Sequence, residues 1–474
     1  MNKKYEMIVG LEVHVELSTD TKIFCSCSTR FGAAPNTQCC PVCMGLPGSM
    51  PVLNRRVVEY AIKAGLATNC KVSRYSGQDR KNYFYPDLPK AYQISQYASP
   101  LCRDGYVEIK TESGKRRIGI ERIHIEEDAG KLIHDERGTL IDFNRCGVPL
   151  IEIVSHPDIR SAEEAKEYLR TLRTLMLYAG VSDCRMNEGS LRCDVNISLR
   201  KRGSEGFGVR CEIKNINSFS FVAKAIEYEF ARQADMLERG EEILQETRRF
   251  DMSSGRTYPM RSKESADDYR YFPDPDLPRV EVSDEMISDL LLEMPRLPAQ
   301  RREEYISRYG IGEYESELLT SDKALADYFE AAAEQTEYRK TLANIIISEL
   351  LRLARAEDFE CGISPKSLAE LATLAGSARI NSSTAKKLLQ RLWEKDFSPF
   401  EIVVAEGLEQ INDEELLRRY VTEAIEASPA SVQDYKRGKT AAAKAIVGRV
   451  MSATGGRANP AIASRLTEDM LDSI

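Results

Sequence analysis

An α+β fold is predicted: a β-rich body with flanking helices over residues 1–294, an all-α domain over 295–407, and a small all-α tail over 408–474. Three observations predict it. Alternation of apolar and polar residues, the period of a half-buried strand, recurs through the first 280 residues. After Pro295 and Pro298 the alternation stops and helical spacing takes over. Between Lys436 and Arg457 the chain carries six cations (Lys436, Arg437, Lys439, Lys444, Arg449 and Arg457) and no acid. Such a stretch is either a positive surface suited to a phosphate backbone or a solvated helix face.

The first element is Ile8–Leu17, IVGLEVHVEL, in which Leu11, Val13, Val15 and Leu17 alternate with Glu12, His14 and Glu16. As a strand it projects two carboxylates and an imidazole from one face, which repel or titrate one another unless a cation, substrate or water separates them. The other reading is a solvent-facing strand of a sandwich. Next, Cys25, Cys27, Cys39, Cys40 and Cys43 fall within nineteen residues. A C-x-C and a C-x-x-C pair joined by a Gly/Pro/Asn/Thr loop can place four thiolates around structural zinc, with Cys40 and Cys43 as the better knuckle and Cys39 spare. Reduced structural cysteines are the alternative. From Ser76 to Tyr97 an aromatic loop with Pro86, Pro89, Arg80, Lys81 and Lys90 either packs over a core or presents planar faces to a substrate.

Further strands follow. In IGIERIHIEEDAGK, His124 and Glu126 share a face and Glu127 points away. PLIEIVS, from Pro149 to Ser155, is apolar except for Glu152, a carboxylate that must meet a cation if buried. CDVNISLR puts Asp194 and Asn196 opposite Cys193 and Val195, and Arg210, Glu212 and Lys214 repeat the pattern. Two helices interrupt these strands. Ser161 and Glu164 form a capping box for one that Gly180 ends, and the other runs from about Phe221 to Leu237. Beyond Met294, helices are expected around Tyr305 and at Leu325–Ala333, Leu342–Leu353, Leu368–Leu374 and Ala385–Trp393.

Composition and absent motifs narrow the function. A hydrophobic content of 42% and charged content of 30% are those of an ordinary globular chain, and a net charge of −8 argues against non-specific coating of nucleic acid. The N-terminal MNKKYEM has no apolar signal core, so a cytoplasmic protein is expected. Gly438-Lys439-Thr440 resembles the end of a Walker loop, but Gln433 stands where its first Gly belongs. There is no nucleophile elbow, and four histidines are too few for a several-His zinc hydrolase. What remains is a carboxylate-lined pocket suited to a hard cation such as Mg²⁺.

The motifs GLEVHVEL, CPVCMGLPGSMPVLN, DRKNYFYPDLPKAYQISQY, GIERIHIEEDAGK, GVPLIEIVSHPDI, EGSLRCDVNISLR, EIKNINSF, ETRRFD, DDYRYFPDPDLP and ATGGRANP together resemble the B-type subunit of the bacterial aspartyl/glutamyl-tRNA amidotransferases, over nearly the whole chain. The resemblance implies a cradle domain, a helical domain and a tail that contacts the outer corner of tRNA. It implies an ATP-dependent ligase that works in a heterotrimer with an amidase subunit plus a small third subunit. Such an enzyme phosphorylates the side-chain carboxylate of mischarged Glu-tRNA(Gln) or Asp-tRNA(Asn) and amidates it with ammonia. By motif, His14, Glu126 and Glu152 correspond to Mg²⁺ ligands with Glu12 and Asp194 close by, Cys25, Cys27, Cys40 and Cys43 to zinc ligands found in some members, and Lys81 and Lys90 to the lining of an ammonia path. A register shift to Cys39 stays open. So do two other readings: a tRNA-presenting scaffold without catalysis, and a free-standing carboxylate–amine ligase acting on a small metabolite.

Overall fold

In the computed structural model, which describes residues 4–112, 114–136, 138–216, 218–262, 269–354 and 359–474, the first strand runs Tyr5–Glu16 (β1). Asn217 of EIKNINSF and Asp267 and Asp268 of DDYRYFPDPDLP lie outside the described residues. The other strands used here are Lys71–Val72 (β2), Asp79–Asn82 (β3), Tyr92–Ser95 (β4), Cys102–Thr111 (β5), Gly114–Glu127 (β6), Pro149–Ser155 (β7), Leu191–Lys201 (β8), Cys211–Ile216 (β9), Glu246–Asp251 (β10), Arg256–Ser262 (β11) and Phe272–Pro273 (β12). Nine form one sheet in the order β11-β10-β9-β8-β1-β7-β6-β5-β2, antiparallel except for the β9–β10 pair. β1 lies in its middle, paired with β8 over Tyr5–Val15 and with β7 over Glu12–Glu16, so the acid-bearing half of the strand is bonded on both sides. A second sheet, β12-β3-β4, carries the Lys81 segment of the aromatic loop.

The alternation in β1 decides which face becomes the core. Met7, Val9, Leu11, Val13 and Val15 are buried, while Glu12, His14 and Glu16 on the other face are half-buried. Helices Arg55–Ala67 (α1), Ala162–Ala179 (α2) and Phe219–Glu238 (α3) cover the apolar face. Val57 and Ile62 of α1, Leu172 and Met176 of α2, and Val222 and Ile226 of α3 share one apolar cluster with Val13, Ile123, Ile151 and Val195. Each such side chain stabilises the fold by roughly 1.5–3 kcal/mol, which lets the opposite face carry unfavourable charge. Ser161 caps α2 by accepting the Glu164 N–H, and Gly180 ends it in the left-handed conformation at φ 67°. The return half of the capping box is displaced by one residue, because Glu164 takes the Arg160 N–H at 2.7 Å.

The chain divides into two compact units, Met1–Leu297 and Pro298–Ile474. The second is built of helices around two separate apolar clusters, one between Tyr305 and Val403 and one between Leu417 and Leu471. The helices expected there form, and the Leu342–Leu353 stretch contains a π-helical turn over Ile346–Leu350. Among the described residues no helix is long and apolar enough to cross a membrane.

Candidate functional site

Register, more than any single strand, assembles the site. His14 on β1 lies opposite Glu152 on β7, Glu152 opposite His124 on β6, and His14 opposite Arg192 on β8. Directly paired residues on one sheet face sit within side-chain reach, so four strands lay these groups in a row across the polar face. Glu126, two residues beyond His124, completes the group from the same side. His14 Nε2 is 3.4 Å from Glu126 Oε1 and 3.6 Å from Glu152 Oε2, and His124 Nε2 is 3.3 Å from Glu152 Oε2.

Electrostatics tie this group together. Burial alone would push His124 down, but Glu152 and Glu126 beside it outweigh that and raise it to about 9, so it is a cation at neutral pH. Glu152 is likewise disfavoured by burial, yet His124, His14 and Lys81 pull it well below the usual carboxylate range. Glu126 is lowered in the same way, against its burial, by His124 and His14. Glu12 goes the other way: burial and the neighbouring Glu152 raise it.

One ligand atom each from His14, Glu126 and Glu152 lies within 4.8 Å of the others. Adjacent ligands of an octahedral Mg²⁺ with bonds of about 2.1 Å are separated by about 3 Å, so the observed spacings suit such an ion after a small contraction. His124 then stands behind Glu152 as a partner that orients it. Glu12, Asp194 and Glu212 form a second carboxylate group of the same compactness, but Lys214 already bridges Asp194 at 3.1 Å and Glu212 at 3.0 Å.

The cysteines converge separately. Cys25, Cys27, Cys40 and Cys43 form one four-thiol group, and Cys39 is outside it with its Sγ 3.8 Å from Asn144 Oδ1. The Cys40 and Cys43 sulfurs are 3.9 Å apart, close to the ~3.8 Å edge of a tetrahedron with Zn–S bonds of about 2.3 Å. Hydrogen bonding from Cys25, reinforced by the Cys40 N–H and the buried Lys22, holds Cys43 down at about 4, against its burial. The donor set fits zinc. Gly45 closes the knuckle at φ +63°, and a Cβ there would lie 2.5 Å from Lys90 Cγ.

The remaining expected residues fall in three places. Lys90, half-buried, forms an ion pair with the buried Glu127 at 2.6 Å, and the pair lines a cavity of about 260 Å³ together with Cys43. Lys81 is at the triad, on the wall of two clefts of about 570 and 440 Å³ that also share His14, Glu126, Asp194 and Lys214. The six tail cations are all exposed in the second unit. Lys439 pairs with Asp434 at 3.1 Å, Arg457 bonds the Gly407 carbonyl at 2.9 Å and Arg449 bonds that of Ala427.

Sequence reasoning missed the Glu127–Lys90 pair and the tyrosines Tyr269 and Tyr271, which line the smaller cleft beside Glu12. Glu127 faces away from His124 as the alternation requires, but it is buried, accepting from Lys90 and from the Ile94 N–H at 2.8 Å.

Comparison with known proteins adds the family. The model of the GatB/GatE catalytic domain matches residues 7–288, and that of the GatB domain matches residues 327–471. The B-type subunit of aspartyl/glutamyl-tRNA(Asn/Gln) amidotransferase from Caldicellulosiruptor saccharolyticus is 52% identical over 479 residues, covering 99% of this chain and all of that protein. The proteins of the same name from Caldanaerobacter subterraneus subsp. tengcongensis and Clostridium botulinum are 52% and 50% identical, with 99% of both chains covered in each comparison.

Proposed function

The chain belongs to the GatB/GatE family, and on that premise we propose that it is the ATP-dependent subunit of a glutamine-dependent tRNA amidotransferase, a carbon–nitrogen ligase of the cytoplasm. Its substrates are Glu-tRNA(Gln), Asp-tRNA(Asn) or both, and it works with an amidase subunit plus a small third subunit. The observation that carries this reading is the meeting of His14, Glu126 and Glu152, from three strands of the family-matched domain, at one point in an open cleft.

The chemistry needs such a point, because a γ-phosphate and a side-chain carboxylate are both anions and must approach within bonding distance. A Mg²⁺ ion held by His14, Glu126 and Glu152 would supply charge neutralisation there. The substrate carboxylate oxygen attacks the γ-phosphorus, and the bond to the β-phosphate oxygen breaks with its electron pair leaving on ADP. Ammonia nitrogen then attacks the acyl carbon; the carbon–oxygen bond breaks, and inorganic phosphate leaves as one nitrogen-bound proton is given up. His124, charged and set against Glu152, fixes the carboxylate in place. Ammonia has to arrive unprotonated, so its path must be shielded. Lys90, held against Glu127, is proposed to line that path; Lys81, the other lysine expected there, stands at the triad itself.

Zinc, bound by Cys25, Cys27, Cys40 and Cys43, is proposed as a structural element that braces the cavity wall beside Lys90. The exposed tail cations are proposed to meet the tRNA backbone. Deleting the residues after Gly407 is expected to raise KM for tRNA about tenfold or more while changing the rate of ATP cleavage at saturating tRNA far less. Steady-state kinetics on the truncated complex checks this, and an unchanged KM removes the tail from the tRNA site.

The reading itself is tested by reconstituting the chain with the amidase and the small third protein. Amide formation on a mischarged tRNA that requires ATP supports it. Amidation without ATP, or activity on a free amino acid without the partner proteins, contradicts it.

A further inference from the structure

Among the described residues, two cations of the clefts that flank His14 make no ion pair, Arg210 and Lys81. Lys214 is shared between Asp194 and Glu212, Arg192 is held by Asp128 at 2.6 Å, and Arg122 by Glu121 at 2.7 Å. Arg210 makes no ion pair among the described residues, but it is exposed and lines only the smaller cleft. Lys81 is different. It is half-buried, makes no ion pair among the described residues, and lines both clefts together with His14 and Glu126. Its Nζ lies 4.9 Å from the Tyr269 ring centroid and 6.0 Å from that of Tyr83, and these rings stand edge to face at 6.1 Å. Aromatic faces hold an ammonium group in position without neutralising it. β3 pairs with β4 opposite Gln93, which fixes the backbone behind the side chain.

A charge count shows what such a lysine is for. Glu126 and Glu152 lie against His14 and His124, and Glu12, Asp194 and Glu212 lie together with Lys214 between the last two. Apart from Arg210, exposed in the smaller cleft, Lys81 is therefore the cation without an ion pair that these clefts offer to an incoming anion among the described residues. A phosphoryl donor in one cleft and a carboxylate acceptor in the other would come together at the wall where this ammonium projects. A fixed donor aimed at developing phosphoryl charge in a partly dehydrated site contributes on the order of 10²–10³-fold in rate.

We propose that Lys81 is a catalytic residue of the phosphorylation half-reaction, in which its ammonium contacts the γ-phosphoryl group as that group passes from ATP to the side-chain carboxylate. The assignment rests on the ATP-dependent reading above. It places Lys81 in the step before ammonia is used, so its loss halts the reaction whatever the nitrogen source.

The test uses the reconstituted three-protein complex with Lys81→Met, Lys81→Gln and Lys81→Arg, each checked by co-elution of the three proteins and by melting temperature. ATP cleavage stimulated by mischarged tRNA is measured alongside amidation with glutamine and with ammonium chloride. In Lys81→Met and Lys81→Gln, all three should fall by about 100-fold or more in kcat, with KM for ATP changed much less. Lys81→Arg should recover at least about tenfold over Lys81→Met. If Lys81→Met does not assemble, Lys81→Gln against Lys81→Arg decides by the same ratio. Retained tRNA-stimulated ATP cleavage and retained ammonium-dependent amidation, with only glutamine-dependent amidation lost, would overturn the proposal and put Lys81 on the ammonia path. A wild-type complex that cleaves no ATP in response to mischarged tRNA would overturn the underlying reading itself.

Discussion

Replacing Glu152 with alanine is expected to lower ATP-dependent amide formation by at least about 10³-fold, while the amidase of the same complex still hydrolyses glutamine. Glu152 is the hub of the row: it contacts His14 on its own sheet neighbour and His124 on the next strand. Without it the proposed ion loses a ligand, and among the described residues His124 keeps only Glu126 as a carboxylate partner, at 3.8 Å. Removing one side of a buried charged pair costs about 3–5 kcal/mol, so the alanine variant also tests folding. Glu152→Gln separates the two effects by keeping the shape while removing the charge. The Glu152→Gln variant should still assemble with its partner proteins if the loss is chemical, and full amidation by either variant would defeat the assignment.

The pH dependence of this network has a definite sign. His124 is raised from its ordinary 6.5 to about 9, so its contribution to stability is complete below 6.5 and disappears as pH rises through 9. Glu152 is lowered from its ordinary 4.5, so the same interaction, viewed from the carboxylate, is present above 4.5 and lost in acid. In chelator, the difference in melting temperature between wild type and Glu152→Gln should be widest between these limits and close above pH 9. A difference that grew with pH would show that His124 is not the cation the geometry makes it.

The second large effect belongs to the knuckle. Metal analysis of the purified chain should find about one zinc per molecule, and Cys43→Ser should lose it and lower the melting temperature by several degrees. Cys43 is chosen because it is the buried member, contacts Lys22 and Cys40, and lines the cavity that holds Lys90 and Glu127. Cys39→Ser should keep the metal, since that sulfur lies apart beside Asn144. A zinc-free wild-type protein would refute the knuckle, and loss of metal from Cys39→Ser would move the ligand set by one residue.

How far the sequence could be read follows from what each pattern encodes. Alternation reports which side chains share a face, and it placed Glu12 with His14 and Asp194 with Asn196, as the burial along β1 and β8 has it. Along β6 the alternation slips: Ile118 and Ile120, expected on the face of His124, lie in the core with Ile123 and Ile125, because the register shifts between Ile120 and Arg122. Alternation says nothing about which strand lies beside which. That His14 faces Glu152, 138 positions further along, is a fact of register between β1 and β7, and only the assembled sheet displays it. Glu127 illustrates the other limit: its direction was legible, but its burial against Lys90 depends on a loop with no period at all. Lys81 and Tyr269 meet for the same reason, through segments separated by most of the β-rich unit. The choice between Cys39 and Cys40 was open in the spacing; in the structure the Cys40 sulfur lies with those of Cys25, Cys27 and Cys43, and the Cys39 sulfur lies beside Asn144.

The most direct measurement is anomalous scattering from crystals of the chain soaked in Mn²⁺, which stands in for Mg²⁺ and can be located by its signal. The account predicts one peak within about 2.3 Å of His14 Nε2 and of a carboxylate oxygen from each of Glu126 and Glu152. A peak held by Glu12, Asp194 and Glu212 with none at His14 would contradict it.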